Sequence, residues 1–168
     1  MKRQKGNTGR AVLIFAKAPE KGKVKTRLAR DMDEDLVVFL YGKLVEKTLE
    51  TVRQSPFVPI VCFSPAEKEQ MMKEWLGRHV SYLVQRGDDL GQRITAAFRV
   101  SFENGFSQAL VIGSDIPGIG PNHLAEAFSL LQKNDLVIGP AYDGGYWLIG
   151  FNRNGFSPHV FADIPWST

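Results

Sequence analysis

Ala11-Val-Leu-Ile-Phe-Ala-Lys-Ala-Pro-Glu-Lys-Gly-Lys-Val-Lys-Thr-Arg-Leu28 joins an apolar, β-branched run directly to a basic loop. Residues 11–15 have the length and composition of a buried strand. Residues 17–30 carry six Lys or Arg and a single acid, Glu20. A buried strand that carries cations and free backbone N–H groups to a sheet edge is a recurring way to hold a phosphorylated ligand. Gly22 permits a tight turn, Lys17, Lys21, Lys23, Lys25 and Arg27 can converge on phosphate oxygens, and Thr26 can add a donor. The same composition also describes a solvated, mobile charged loop, and the residues alone leave both readings open.

Two phosphate loops are excluded. A P-loop needs Gly five residues before Gly22 and Ser or Thr after Lys23, where this chain has Lys17 and Val24. The Gly-x-Gly-x-x-Gly dinucleotide pattern is absent after the first apolar run.

The net charge of +3 hides a strong partition. Residues 1–10 hold four Lys or Arg and no acid, and read as a flexible basic tail. The loop at 17–30 is locally +5, which leaves 11 basic and 17 acidic residues elsewhere, a net of −6. A cationic loop on an acidic body fits a localised anionic ligand and argues against a nucleic-acid partner, which needs a broad basic face. With 43% apolar and 23% charged residues and no apolar run beyond about five, the composition is that of an ordinary globular protein with no membrane span. The single cysteine, Cys62, lies in the apolar stretch Pro59–Phe63 and reads as a core residue in a reducing, cytoplasmic setting. One Cys and three scattered His exclude a zinc cluster of the usual spacing.

Apolar runs recur at 11–15, 59–63, 81–84, 109–112, 136–139 and 146–150. Helical periodicity occupies most of the intervals. In Asp31–Gln54, Leu36, Leu40, Leu44, Thr48 and Val52 repeat every four residues with Val37, Val45 and Leu49 beside them; Asp31 and Glu34 supply a helix start. Segments 66–77, 90–104 and 121–133 also read as helices, the last with Pro121 in its first turn. This alternation predicts βαβ units and a parallel sheet covered on both faces by helices, in a single domain over residues 11–168. Ligands bind such sheets beyond the carboxyl ends of the strands, which directs attention to the loops after Phe15, Val84, Ile112 and Ile138.

Three of those loops carry chemistry. In Leu110-Val-Ile-Gly-Ser-Asp-Ile-Pro117 an acid follows a strand immediately, and Pro117 holds Ile116 extended. A single carboxylate plus substrate phosphates is a typical Mg²⁺ arrangement, so Asp115 is the candidate metal ligand; a simple Asp-Pro turn is the alternative. In Gly139-Pro-Ala-Tyr-Asp-Gly-Gly-Tyr-Trp-Leu-Ile-Gly150, Asp-Gly between apolar runs signals a hairpin. The same turn can bring Asp143 as a second carboxylate, Gly144 and Gly145 as close backbone, and Tyr146 or Trp147 as an aromatic wall. In Gln85-Arg-Gly-Asp-Asp-Leu-Gly-Gln-Arg93, Asp89 and Gln92 form a capping box, while Gln85, Gly87 and Arg93 are placed to line the cleft. His79, His123 and His159 are isolated and receive no role.

Together the motifs Phe-Ala-Lys-Ala-Pro-x-x-Gly-x-Val-Lys-Thr-Arg-Leu, Gly-Asp-x-Leu-Gly-x-Arg, Gly-Ser-Asp-x-Pro and Gly-Pro-Ala-x-Asp-Gly-Gly-Tyr-x-Leu-Ile-Gly resemble a bacterial family of A-type glycosyltransferase-like domains. That family lies within the nucleotide-diphospho-sugar transferase superfamily. The likeness runs from about residue 11 to the C-terminus. The first loop and the Ser-Asp-x-Pro turn also resemble 2-phospholactate guanylyltransferase and molybdenum cofactor guanylyltransferase.

The resemblance implies a Rossmann-like, three-layer α/β/α nucleotide-binding domain with a mainly parallel sheet, a transferase that uses Mg²⁺ or Mn²⁺ and takes a nucleotide-sugar, or alternatively a nucleoside triphosphate, with an acceptor of unknown identity. It implies that Lys17, Lys25 and Arg27 grip the phosphates, that Asp115 holds the metal, and that Asp143-Gly144-Gly145 borders the sugar or acceptor pocket. Asp115, Asp143 and Lys25 are the expected catalytic groups. A non-catalytic nucleotide-binding module is the further alternative. Family members usually continue past Pro165-Trp-Ser-Thr168 with a helix and an acidic stretch, so this chain is expected to lack that segment.

Overall fold

A computed structural model describes residues 9–142, 144–162 and 164. The basic tail, Asp143 and the Pro165–Thr168 segment therefore fall wholly or largely outside the described residues. The six predicted apolar runs all form strands: β1 (Arg10–Lys17), β2 (Val58–Ser64), β3 (Ser81–Val84), β4 (Gln108–Gly113), β5 (Leu136–Pro140) and β6 (Tyr146–Asn152). Among the described residues four α-helices accompany them: α1 (Glu34–Arg53), α2 (Glu69–Leu76), α3 (Leu90–Glu103) and α4 (Pro121–Leu130).

The strands make one sheet in the order β3-β2-β1-β4-β6-β5. β1 pairs in parallel with β2 and β4, and β2 with β3. β6 runs antiparallel to both β4 and β5. Five strands therefore point the same way, and their carboxyl ends share one edge. The sheet is mainly parallel, as the alternation of elements predicts.

The side-chain period of two divides β1 between two cores. Val12, Ile14 and Ala16 meet Val45 and Leu49 of α1 and Leu124 and Phe128 of α4 on one face. Ala11 and Leu13 meet Ile94, Ala97 and Phe98 of α3, together with Phe151 and Phe161, on the other. A strand covered on both faces must be apolar throughout, which is why residues 11–14 form an unbroken hydrophobic run rather than an alternating one. Phe98 anchors the second layer, in edge contact with Phe151 at 5.2 Å and tilted against Phe156 at 5.5 Å. Truncating such a residue to alanine costs about 3–5 kcal/mol.

Two details of α1 differ from the sequence reading. The helix begins at Glu34, and Asp33 caps it by accepting hydrogen bonds from the N–H groups of Asp35 and Leu36 at 3.0 and 3.1 Å. Asp31 instead closes a short 3₁₀ turn over Leu28–Arg30. The buried stripe is Val37, Tyr41, Val45, Thr48, Leu49 and Val52, whereas Leu36 and Leu40 are exposed. A strict four-residue repeat drifts around a 3.6-residue helix by about 40° per step, so the series starting at Leu36 enters the core only near its end.

Candidate functional site

The loop after β1 is tied to the body of the protein along its length. Ala18 and Val24 are buried in the α1 face of the core. The Ala18 N–H donates to the Ser64 carbonyl at 2.9 Å, Lys68 pairs with Glu20 at 2.6 Å, and Lys21 pairs with Asp35 at 2.7 Å. Val24 sits between Lys23 and Lys25, so burying its side chain fixes where both cations emerge. This packing excludes the reading of the loop as a solvated, untethered segment.

Lys23, Val24 and Lys25 line a cleft of about 570 Å³ at the carboxyl edge of the sheet, with Lys17, Tyr41, Gln85, Arg93 and Asp115. Three of the four loops that the parallel alternation singles out converge here, as expected for this architecture. The Lys25 ammonium pairs with the Asp115 carboxylate across the cleft. Lys25 is also the one described non-glycine residue with a left-handed backbone, at φ +48°. Side-chained residues avoid that region at a cost of about 1–2 kcal/mol, and exceptions concentrate where geometry serves binding.

Tyr41 locks the base of the cleft. Its hydroxyl accepts from the Lys17 N–H at 2.8 Å and donates to the Lys17 carbonyl at 3.2 Å, joining α1 to the end of β1. Burial pushes its pKa up, and the negative charge of Asp115 pushes the same way, so Tyr41 stays a neutral donor. Thr48 donates to the buried Ser114 carbonyl at 3.2 Å and so fixes the turn that carries Asp115.

At the β3 end, Gln85 donates from its side-chain amide to the carbonyls of Cys62 at 2.8 Å and Ala16 at 3.2 Å. Asp89 caps α3, accepting from the Gln92 N–H at 2.7 Å. Gln92 reaches back to the Asp88 N–H at 3.1 Å rather than to the N–H of Asp89, so the box is displaced by one residue. The Arg93 Nε donates to the Gly87 carbonyl at 2.9 Å. Gly87 is required there: at φ +135°, an added Cβ would lie 2.5 Å from the Cβ of Gln92.

Of the residues that the sequence nominates, Lys17, Lys25, Gln85, Arg93 and Asp115 line the cleft together. Gly22, at φ +67°, provides the turn of the loop, and Gly87 the turn before α3. Thr26 and Arg27 are exposed on the same loop and do not line the cleft. Gly144 and Gly145 form the hairpin turn between β5 and β6, closed by the Ala141 N–H donating to the Gly145 carbonyl at 2.9 Å. That turn also lies at the carboxyl edge, since β5 is parallel to β4, but it does not line this cleft. Tyr146 packs its ring against the α3 face, and its buried hydroxyl has no partner among the described residues. Desolvation raises its pKa to about 12.

Tyr41, Leu90 and Asp88 also line the cleft and were not singled out from the sequence. Tyr41 carries a readable signal, an aromatic with a polar tip between Val37 and Val45 on the buried stripe of α1.

Among the described residues no three or more His, Cys, Asp or Glu gather as a metal cage. The donor set fits a different arrangement, the Asp115 carboxylate beside Lys25 in a cleft that also carries Lys17, Lys23 and Arg93 and the carboxylates of Asp88 and Asp89. This is how Mg²⁺ or Mn²⁺ is held when substrate phosphates and water supply the remaining ligands.

Comparison with known proteins agrees with this architecture. Residues 48–168 match the family described as "uncharacterized protein conserved in bacteria" (DUF2064), and the chain belongs to that family. The fold superposes with a TM-score of 0.91 on a "putative nucleotide-diphospho-sugar transferase" from Desulfovibrio desulfuricans G20, at 37% identity over 95% of this chain and 70% of that one. Two structures share the fold at lower identity. One is 4-diphosphocytidyl-2C-methyl-D-erythritol synthase from Anaerococcus prevotii DSM 20548 (TM-score 0.58, 15% identity, 89% of this chain and 71% of that one). The other is Rv0371c from Mycobacterium tuberculosis H37Rv in complex with manganese (TM-score 0.57, 16% identity, 94% and 77%). No curated protein matches the chain significantly.

Proposed function

We propose that the cleft between Lys25 and Asp115 binds the phosphates of a nucleotide-sugar together with Mg²⁺ or Mn²⁺, and that the protein transfers the glycosyl group to an acceptor. The observation that carries this reading is the Lys25–Asp115 pair itself. It places an ammonium and a carboxylate, both partly exposed, in a tethered cleft at the ligand edge of the sheet. The similarity to the Desulfovibrio protein, named for nucleotide-diphospho-sugar transfer, supports the same chemistry.

In this reading Asp115 is the metal ligand, and Lys17, Lys23 and Lys25 face the diphosphate. The bound metal supplies Lewis acidity at the phosphate oxygens. Nucleotide entry frees Lys25 from Asp115 and gives its ammonium to a phosphate oxygen, so the cation stays paired throughout. When the bond between the sugar and the diphosphate breaks, negative charge grows on the departing nucleoside diphosphate. Val24 and the Tyr41–Lys17 bonds hold the backbone that carries these lysines, so the growing charge meets cations already positioned beside it, and preorganised donors of this kind are worth several kcal/mol in the transition state. Asp143, which lies outside the described residues, together with Gly144, Gly145 and Tyr146, is proposed to border the sugar or acceptor. Arg27 and Thr26 are proposed to reach the phosphates only on ligand binding.

Nucleotidyl transfer from a triphosphate is the second reading, favoured by the fold the chain shares with 4-diphosphocytidyl-2C-methyl-D-erythritol synthase. A thermal-shift panel of nucleotide-sugars and nucleoside triphosphates, each with and without Mg²⁺ or Mn²⁺, separates the two. A ligand at a hundred times its Kd adds roughly 2.7 kcal/mol of stability. A metal-dependent shift with a nucleotide-sugar supports glycosyl transfer, and one confined to triphosphates supports nucleotidyl transfer. No shift with any of them contradicts both.

A further inference from the structure

Resting on the metal-and-phosphate reading above, we infer that Lys25 is a latch on the metal site. In the nucleotide-free protein its ammonium occupies the Asp115 oxygen that a divalent cation needs, so the metal enters with the phosphates and not ahead of them.

The two carboxylate oxygens of Asp115 have different surroundings. Oδ1 lies back over the end of β4, where a Cβ added to Gly113 would stand 3.3 Å from it. Oδ2 accepts from the Lys25 ammonium, and no other described residue donates to the carboxylate. The Thr48 hydroxyl holds the neighbouring Ser114 carbonyl, so the turn keeps the carboxylate in this position. The main chain of Lys25 is fixed as well. Its carbonyl accepts from the N–H groups of Leu28 and Ala29 at 2.9 and 3.1 Å, and the adjoining Val24 is buried. Only the four-carbon side chain is left to swing between partners. Lys17 and Lys23 line the same cleft without an ion pair among the described residues, while Lys21 is held by Asp35. The loop thus commits one of its three cleft lysines to Asp115 and leaves two open to an anion.

An ammonium and a divalent cation cannot share Oδ2. Both need direct contact, at about 2.1 Å for Mg²⁺ and about 2.8 Å for the ammonium, and side by side at those distances they repel. The pair is about one-third exposed, so solvent weakens it and a phosphate oxygen can compete for the ammonium. Arriving phosphates give Lys25 a new acceptor and free Oδ2 for the metal. Metal and nucleotide then bind cooperatively, and by linkage each raises the affinity of the other by the same factor.

The test measures Mn²⁺ binding without nucleotide, by loss of the free-ion signal in electron paramagnetic resonance. Wild type should bind the ion weakly. Lys25→Gly should bind it about tenfold more tightly, the effect of removing one unit charge a few ångströms from a divalent ion in a solvated cleft. Lys23→Ala, which removes a cleft cation not paired with Asp115, should give a clearly smaller gain. Adding Asp115→Asn to Lys25→Gly should abolish the gain, which assigns it to this carboxylate rather than to Asp88 or Asp89. Lys25→Gly strengthens metal binding and weakens nucleotide binding, opposite effects that a loss of folding cannot produce. Equal Mn²⁺ affinity in wild type and Lys25→Gly, an equal gain in Lys23→Ala, or a gain that survives Asp115→Asn overturns the inference while leaving a nucleotide site at Lys25 intact. Failure of every nucleotide in the panel above to bind overturns the nucleotide reading and with it the release of the latch, even where the Mn²⁺ gain shows that Oδ2 is masked.

Discussion

Lys25 and Asp115, 90 positions apart in the chain, meet in an ion pair at the carboxyl edge of the sheet. The pair joins the basic loop after β1 to the acidic turn after β4, two motifs that are far apart in sequence and adjacent in space because β1 and β4 are paired in parallel. Its side chains are 37% and 35% exposed, and exposed pairs contribute only about 0–1 kcal/mol to stability. Asp115→Asn should therefore leave the melting temperature within about 4 °C of the wild type. Nucleotide affinity in the same variant should lose its dependence on Mg²⁺ or Mn²⁺. A variant that melts far below the wild type, or that retains full metal dependence, contradicts the role given to Asp115.

Asp89 should behave in the opposite way. It caps α3 through the Gln92 N–H, and losing such a cap costs about 1 kcal/mol. For a chain of this size Asp89→Ala should lower the melting temperature by about 2–4 °C. Differential scanning calorimetry showing no change would remove the capping role.

At Gly87 both backbone and space forbid a side chain. Gly87→Ala must push against Gln92 Cβ and the Arg93 N–H from a left-handed backbone, at a cost of about 1–3 kcal/mol. Because the Gly87 carbonyl also holds Arg93 in place, nucleotide affinity should fall alongside stability. Chemical denaturation and nucleotide titration of the same sample check both effects.

Tyr146→Phe should be neutral or stabilising at pH 7, since it removes a buried hydroxyl without a described partner. The alkaline limb makes the test sharper. The phenol ionises at about 10 in the unfolded chain and about 12 in the native protein. Between those values the unfolded state holds fewer protons, so stability falls as pH rises; below pH 10 the contribution is complete. Burial shifts Tyr41, Tyr82 and Cys62 in the same direction. Tyr146→Phe should move the alkaline unfolding midpoint upward, and an unchanged midpoint would show that the hydroxyl is hydrated.

Much of this was legible in the sequence, for identifiable reasons. The strands of the parallel sheet are short apolar runs because both faces are covered, and the helix between β3 and β4 announces its start through Asp89 and Gln92. Leu36 and Leu40 misled because a four-residue repeat and a 3.6-residue helix coincide only over short distances. The cleft was partly readable: strand-end loops and their charges mark its rim. Tyr41 escaped notice because its role depends on the polar tip reaching Lys17, 24 residues earlier, which periodicity does not encode. The Lys25–Asp115 pair was likewise out of reach, since sequence names two charges and only the sheet order makes them neighbours.

Titrating nucleotide-sugars and nucleoside triphosphates into the wild type and Lys25→Gly, with and without Mg²⁺, decides whether the Lys25 ammonium holds phosphate. Glycine suits the left-handed backbone at this position, so the variant removes the ammonium without distorting the loop. Binding to the wild type should depend on the metal and weaken about 10- to 100-fold in the variant, as expected for a lost charge-assisted hydrogen bond. Equal affinity in the two proteins, or binding indifferent to the metal, would contradict it.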